Sequence, residues 1–250
     1  MKSGGKMDSL YIVMPAYNEE ENIENVVKQW YPKLLLADKA RSKMVIADNG
    51  STDRTHEILL SMIKSGGYSN LEILENTGKQ HGPKVIALYK EAINSGTDYI
   101  FQTDSDGQTS PEEFDDFWAR RNEYEAIIGK RLVREDGRSR AFVENVVCLL
   151  LRFYFHVSIP DANAPFRLMK SSLIKRYISC FDDDYGLPNI MLTTYFSKYK
   201  ENVVFREISF KARQLGTNSI NIPKIVKIGI EACGDFHRFK KEMEKMDAKG

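Results

Sequence analysis

Four times between Leu10 and Arg120 the chain repeats one phrase: a short apolar run, a knot of polar residues, then a helix-like segment. Leu10 to Pro15, Lys43 to Ala47, Leu71 to Glu75 and Tyr99 to Asp104 carry the apolar runs. Glu19 to Trp30, Asp53 to Lys64, Lys84 to Asn94 and a segment starting at Pro111 carry the helical pattern. The last of these has a clear start signal: Ser110 as cap, proline in the first turn, then Glu112 and Glu113 near the positive end of the helix dipole. Short apolar strands alternating with helices build βαβ units. The expected fold is therefore α/β, with a mostly parallel central sheet covered by helices on both faces.

In open sheets of this kind, ligands bind beyond the carboxyl ends of the strands. The polar knots fall there: Tyr17-Asn18-Glu19, Asp48-Asn49-Gly50-Ser51 and Asp104-Ser105-Asp106. Three separate strands thus deliver polar groups to one edge, which marks that edge as the expected site. In an extended segment residues i, i+2 and i+4 share a face, so Asp104, Asp106 and Gln108 can look into one cleft while Ser105 looks away. The two carboxylates start ~7 Å apart, and Gly107 lets the chain curl to bring them together. Mg²⁺ or Mn²⁺ suits one or two carboxylates completed by water and phosphate oxygens. The same aspartates also suit turns and helix caps. A calcium loop fits badly, because glycine stands fourth and Pro111 interrupts.

Bulk composition narrows the class. The chain has 250 residues, 42% hydrophobic and 28% charged, enough for one large domain with a real core. A net charge of +1 gives no global field for nucleic acid. Cys148, Cys180 and Cys233 are scattered without metal-ligand spacing and fit a reducing compartment. The N-terminus carries no secretion-like segment, and no run reaches the ~18 apolar residues of a membrane span. The expected location is the cytoplasm, either free or held at the cytoplasmic face of a membrane.

The second half is less regular. Glu125 to Gly129, Ala164 to Met169 and Val203 to Phe210 read as strands; Ala141 to His156, Ser171 to Ser179 and Ile222 to about Met246 read as helices. The division expected is residues 1–220 as one domain and 221–250 as an amphipathic C-terminal helix. The segment AFVENVVCLLLRFY is unusually apolar, and the last helix carries Lys224, Lys227, Arg238, Lys240, Lys241 and Lys245. Membrane-surface contact, a homodimer contact and a core helix are all open readings of that pair.

The stretches YIVMPAYNEEENI, VIADNGSTDRT, YIFQTDSDGQTSPEE and IIGKR, in that order, resemble glycosyltransferase family two, with its Rossmann-like GT-A fold. DSDGQ, DANAPFRLMK and REISFKARQLGTNS are similar to the dolichol-phosphate mannose synthase and bacterial polyprenyl-phosphate glycosyltransferase branch. The resemblance implies an inverting, metal-dependent transferase using a UDP- or GDP-sugar donor and a lipid-phosphate or glycan acceptor, in glycan or cell-surface polysaccharide synthesis. By position it implies Pro15, Tyr17, Glu19 and Asp48 at the nucleotide, and Lys79 toward the diphosphate. Asp104, Ser105 and Asp106 fall at ribose, metal and diphosphate, with Gln108 assisting Asp106 at the metal. Arg131 and Arg213 would meet phosphate. If the acceptor is a hydroxyl, CFDDDYGLPN offers Asp184 among its three aspartates as general base, although aspartates before a helix also serve as caps. His56, His81, His156 and His237 share no spacing and receive no role. The sequence departs from the family at Asn49, where a second aspartate is usual, at His81-Gly82-Pro83, and at Ala164-Pro165. A sugar-phosphate nucleotidyltransferase lacks support because MPAYNEEEN has no glycine-rich loop with arginine. A nucleotide-sugar-binding scaffold without turnover remains a rival.

Overall fold

A computed structural model describes residues 7–131, 138–211 and 222–248, with side chains described outside 138–145 and 222–233. These residues hold eight helices and seven strands, which alternate except where α6 is followed by α7. They are β1 (Leu10–Ala16), α1 (Ile23–Trp30), β2 (Lys43–Asp48), α2 (Thr55–Lys64), β3 (Leu71–Leu74), α3 (His81–Asn94), β4 (Tyr99–Gln102) and α4 (Pro111–Ala119). Then come β5 (Ala126–Arg131), α5 (Arg138–Phe155), β6 (Arg167–Lys170), α6 (Ser171–Tyr177), α7 (Pro188–Lys198), β7 (Val203–Ile208) and α8 (Ile222–Asp247). Short 3₁₀ turns follow α1 and α6.

The strands form one sheet in the order β3-β2-β1-β4-β6-β5-β7. β1 pairs in parallel with β2 and β4, and β2 with β3. β6 runs antiparallel to both β4 and β5, which leaves β5 parallel to β4, and β7 is parallel to β5. One edge therefore collects the last residues of β1, β2, β4 and β5 together with the first of β6, where Arg167 pairs with Gln102. That is the edge the polar knots were expected to share.

The strand period of two feeds two cores. Tyr11, Val13, Val45 and Ala47 join one cluster with α3, α5, α6 and α7, while Leu10, Ile12, Met14, Met44 and Ile46 join the other with α1, α2 and α4. Trp30 stacks on Phe101 with ring centroids 5.1 Å apart, and Phe101 meets Phe114 and Phe166 edge-on at 4.7 Å. Full burial of each such ring is worth about 1.5–3 kcal/mol. α8 closes the first core with buried Phe236, Phe239 and Met243, packing along α5. Among the described residues no helix is long and apolar enough to cross a membrane.

Several boundaries differ from the sequence reading, each for a local reason. α1 starts at Ile23 rather than Glu19, because Asn18 sits at φ +54° and the Glu19 carbonyl is taken by the N–H groups of Asn22 and Ile23. α3 starts earlier, at His81, with Gln80 extended before it. β6 starts at Arg167 rather than Ala164: Pro165 has no N–H for a ladder, and the carbonyls of Ala162 and Ala164 instead accept from the buried Arg167 guanidinium. β4 stops at Gln102, after which Thr103 still donates to the Val13 carbonyl at 3.2 Å. Ser110 does precede α4, with Pro111 first in the helix, but its side chain makes no cap hydrogen bond.

Candidate functional site

At the site edge, the loop after β1 and the loop after β2 are stitched together. The Asn18 side chain accepts from Thr52 N at 2.8 Å, and Asn18 N donates to Ser51 Oγ at 3.1 Å. Glu19 N donates to Thr55 Oγ1 at 2.8 Å, and its buried carboxylate accepts from Asn22. Asp53 accepts from Thr55 N, Thr55 Oγ1 and Glu20 N, so it terminates the loop as a cap-like acceptor. The positive φ of Asn18 is the left-handed position asparagine tolerates. Pro15 lies in the last, fully buried stretch of β1 before Ala16, and its carbonyl accepts from Ser105 Oγ at 2.9 Å. Ser105 is thus buried as a strap between β1 and the loop after β4, turned away from the cleft as the alternation requires.

Tyr17 is 52% exposed, and the Lys84 ammonium lies 5.3 Å from its ring centroid. Lys84 stands in the first turn of α3, almost fully buried, and donates to the Ala16 carbonyl at 2.5 Å. Burial pulls its pKa down, partly opposed by the Asp48 carboxylate. Lys84 had no signal in the sequence beyond its place at a helix start.

Asp48 closes β2 with a side chain only 1% exposed. It accepts from Ser51 Oγ at 2.5 Å, and its other oxygen lies 3.1 Å from His56 Nδ1. His56 Nε2 lies 3.5 Å from Glu75 at the end of β3, so the histidine bridges the two strand ends. Asn49, the departure from the family's second aspartate, donates its amide to the Thr77 carbonyl. A carboxylate could not make that bond. Gly50 adopts φ +87°, and the stem of Lys79 lies over it: a Cβ there would come 3.2 Å from Lys79 Cγ.

After β4 the chain does curl, with Gly107 at φ +74°. Asp104 is half-buried, and its Oδ1 lies 3.3 Å from His81 Nε2 at the start of α3. Asp106 Oδ1 accepts from Gln108 N at 3.1 Å. Gln108 is buried; its Nε2 donates to the Lys211 carbonyl at 2.7 Å, and its own carbonyl accepts from Lys211 N at 2.9 Å. Gln108 thus ties the loop after β4 to the chain leaving β7, and only its amide oxygen is left to offer an ion. Among the described residues no three His, Cys, Asp or Glu side chains converge as a self-sufficient metal cage. The oxygens this loop could offer an ion are the Asp106 carboxylate and the Gln108 amide oxygen, a sparse set that suits a hard ion completing its shell from water and phosphate.

Arg131 ends β5 at the same edge, but its fork grips Asp161. Nε donates to Oδ2 at 2.8 Å and the terminal nitrogen to Oδ1 at 2.7 Å, both side chains being under one-tenth exposed. The guanidinium also lies 5.2 Å from the Phe210 ring. The structure therefore gives Arg131 an intramolecular carboxylate where a phosphate was expected. Arg213 lies outside the described residues. Asp184 is exposed, while its neighbours are spent on ion pairs, Asp182 with Arg238 and Asp183 with Lys90. The loop carrying Asp184 nevertheless rests on the site: a Cβ on Gly82 would come 2.3 Å from the Tyr185 carbonyl oxygen and 2.4 Å from that of Gly186. Gly82 follows His81, which touches Asp104, so the α3 start links the acidic loop to the loop after β4.

Residues 11–185 match the family described as Glycosyl transferase family 2. The undecaprenyl-phosphate 4-deoxy-4-formamido-L-arabinose transferase of Pseudomonas aeruginosa is 23% identical over 183 residues, covering 73% of this chain and 53% of that one. The protein of the same name from Pectobacterium carotovorum is 23% identical over 225 residues, covering 87% and 64%. The chain thus spans less than two-thirds of the length of these relatives. Among solved structures, glucosyl-3-phosphoglycerate synthase from Mycobacterium tuberculosis in complex with uridine-diphosphate superposes with a TM-score of 0.62 at 18% identity, covering 91% of this chain and 80% of that one. The same enzyme with Mn²⁺, uridine-diphosphate-glucose and phosphoglyceric acid gives 0.61, again at 18% identity, covering 84% and 73%. These two share the fold.

Proposed function

The chain belongs to glycosyl transferase family 2, and from that premise we propose that it moves a sugar from a nucleotide-diphosphate donor to a polyprenyl phosphate, with inversion at the anomeric carbon. One observation carries the reading: β1, β2 and β4 end together, and set Tyr17, Asp48, Asp104 and Asp106 on a single edge. Solved structures of this fold hold Mn²⁺ with a UDP-sugar, and the two similar transferases are named for undecaprenyl phosphate.

Each residue has a defined task in this scheme. Asp48, oriented by Ser51 and His56, accepts an N–H of uracil or guanine with a remaining lone pair. Tyr17 offers an exposed ring to the base, with Pro15 and Glu19 shaping the loop behind it. Lys79, over Gly50, reaches toward the diphosphate. Asp104 takes the ribose side. Asp106, with the Gln108 amide oxygen, holds Mg²⁺ or Mn²⁺. A bound divalent ion neutralises the charge that builds on the leaving diphosphate. The acceptor phosphate is already anionic and needs no strong base, so orientation for in-line attack supplies much of the rate. Arg213, outside the described residues, would supply a cation for a phosphate. Arg131 backs the edge through Asp161.

A second reading has its own support. The Tyr185-Gly186 carbonyls lie against Gly82, which brings exposed Asp184 beside the site, where it could take the proton of a sugar hydroxyl in a growing polysaccharide. The test is Asp106→Asn, assayed for release of UDP or GDP with Mn²⁺ and for transfer to polyprenyl phosphate or to a sugar acceptor. Turnover falls by about 10²–10³ with the melting point held. Unchanged turnover overturns the reading, and binding without turnover in the native chain makes it a scaffold.

A further inference from the structure

Asp48 and Glu75 leave neighbouring strands side by side. β2 and β3 pair Ala47 with Leu74, and the next residue of each chain is an acid. Two carboxylates so placed repel. His56, in the first turn of α2, stands between them, with Nδ1 3.1 Å from Asp48 Oδ2 and Nε2 3.5 Å from Glu75 Oε1. The ring has a fixed root. Thr55, the residue before it, is fully buried, accepts from Glu19 N at 2.8 Å and donates to Asp53 at 2.6 Å. The Asp48 side chain is only 1% exposed, His56 39% and Glu75 61%, so the three run from the interior out to solvent. The buried carboxylate has little freedom to turn. Ser51 Oγ donates to one of its oxygens at 2.5 Å. A carboxylate has only lone pairs, so the contact at the other oxygen is a bond from Nδ1–H. With one partner on each oxygen, the lone pairs left over have set directions.

We propose that Glu75 and His56 are the base-selecting support of this site. Glu75 holds the imidazole, the imidazole fixes Asp48, and the fixed carboxylate admits a base whose ring N–H stands beside a carbonyl, as in uracil or guanine. Cytosine and adenine present a ring lone pair at that position and are rejected. Two lone pairs facing each other leave both groups unpaired, and a site built to accept a hydrogen bond penalises exactly that. His56 is a positioning residue: it acts on the base only through Asp48. Its own ring, well exposed at the start of a helix, carries little packing. The inference rests on the reading in which the nucleotide base meets Asp48, and adds to it the two residues that make the contact selective.

Isothermal titration of the full chain with Mn²⁺ tests it by comparing UDP with CDP, and GDP with ADP. The native protein takes the N–H-bearing member of at least one pair about 10–100-fold more tightly. His56→Ala brings that ratio to within about threefold, mainly by weakening the preferred nucleotide. His56→Asn, whose amide N–H stands about where Nδ1–H stands, restores most of the ratio, and Glu75→Ala lowers it less than His56→Ala does. Both members of a pair meet the same folded protein, so a loss of stability cannot imitate a change in their ratio. A ratio that survives His56→Ala, or that His56→Asn fails to restore, overturns the proposal. If Asp48→Asn abolishes the ratio while His56→Ala leaves it whole, the base reading stands and only the role of His56 falls. A native protein with no ratio in either pair, or with one indifferent to Asp48→Asn, overturns both.

Discussion

The proposed donor side and the proposed acceptor side of the site edge are built differently. On the donor side, β1, β2 and β4 end in loops whose polar side chains bond one another: Asn18 to Ser51 and Thr52, Glu19 to Asn22, Asp48 to Ser51 and His56, Ser105 to Pro15. On the proposed acceptor side, Asp184, Arg152 and His156 stand exposed, and the buried polar groups among the described residues include the phenols of α6 and α7, Arg167, Asn189, Thr193 and the Arg131–Asp161 pair. The contrast teaches that the edge proposed for the nucleotide is preorganised by short-range hydrogen bonds. The edge proposed for the acceptor also depends on long-range contacts, such as Arg131 with Asp161, which single substitutions can remove.

The largest expected break comes from alkali. Tyr177, Tyr185, Tyr195 and Tyr199 cluster between α6, α7 and α8, with Tyr177 stacked on Tyr199 and Tyr185 on Phe181. Burial is the first cause that pushes all four phenols above the ordinary value of 10, Tyr199 to about 12 with help from Asp247. The unfolded chain therefore loses these protons first. Their contribution is whole below pH 10 and is lost as pH rises toward the folded values, each buried phenol costing up to about 1.4 kcal/mol per pH unit. Urea midpoints should fall steeply above pH 10, with phenolate absorbance appearing together with unfolding. Tyr185→Phe should flatten that slope at little cost near neutrality, since its hydroxyl has no partner among the described residues. Gradual ionisation at an unchanged midpoint would show that the acceptor-side rings are open to water.

Next in size is the ion pair. Arg131→Met leaves the Asp161 carboxylate buried without its fork and should cost about 3–5 kcal/mol, whereas Arg131→Met with Asp161→Leu should recover most of it. The readout is the urea midpoint of single and double variants beside the affinity for UDP. A phosphate-binding Arg131 predicts the opposite: weaker nucleotide affinity with stability nearly kept, and no rescue by the second change.

The donor side was also the more legible in the sequence. Strand ends at Pro15, Ala47 and Asp104 were read from apolar runs and local punctuation, each within two residues of the observed ends at Ala16, Asp48 and Gln102, so the edge and its aspartates were in view from the start. The partners were not. Asp161 lies 30 positions from Arg131, and Thr77 lies 28 from Asn49; no local pattern announces a pairing across that distance. Lys84 and His56 were hidden for another reason. A lysine at a helix start and a histidine inside a helix read as solvent-facing until the strand ends beside them are known.

The smallest expected effect probes the seam between the two sides. Gly82 is buried at the start of α3, and any Cβ there meets the backbone of Tyr185 and Gly186, not a flexible side chain that could turn aside. Gly82→Ala must therefore push the loop of Asp184 off the helix, at about 1–3 kcal/mol of stability. His81 stays on α3 and the Asp48 pocket lies on other strands, so affinity for UDP should hold within about twofold. Transfer should fall, because the displaced loop belongs to the acceptor side. Isothermal titration with UDP beside a transfer assay separates the two. If nucleotide affinity fell as far as transfer, the acidic loop would be part of the donor pocket and the division between the two sides would not stand.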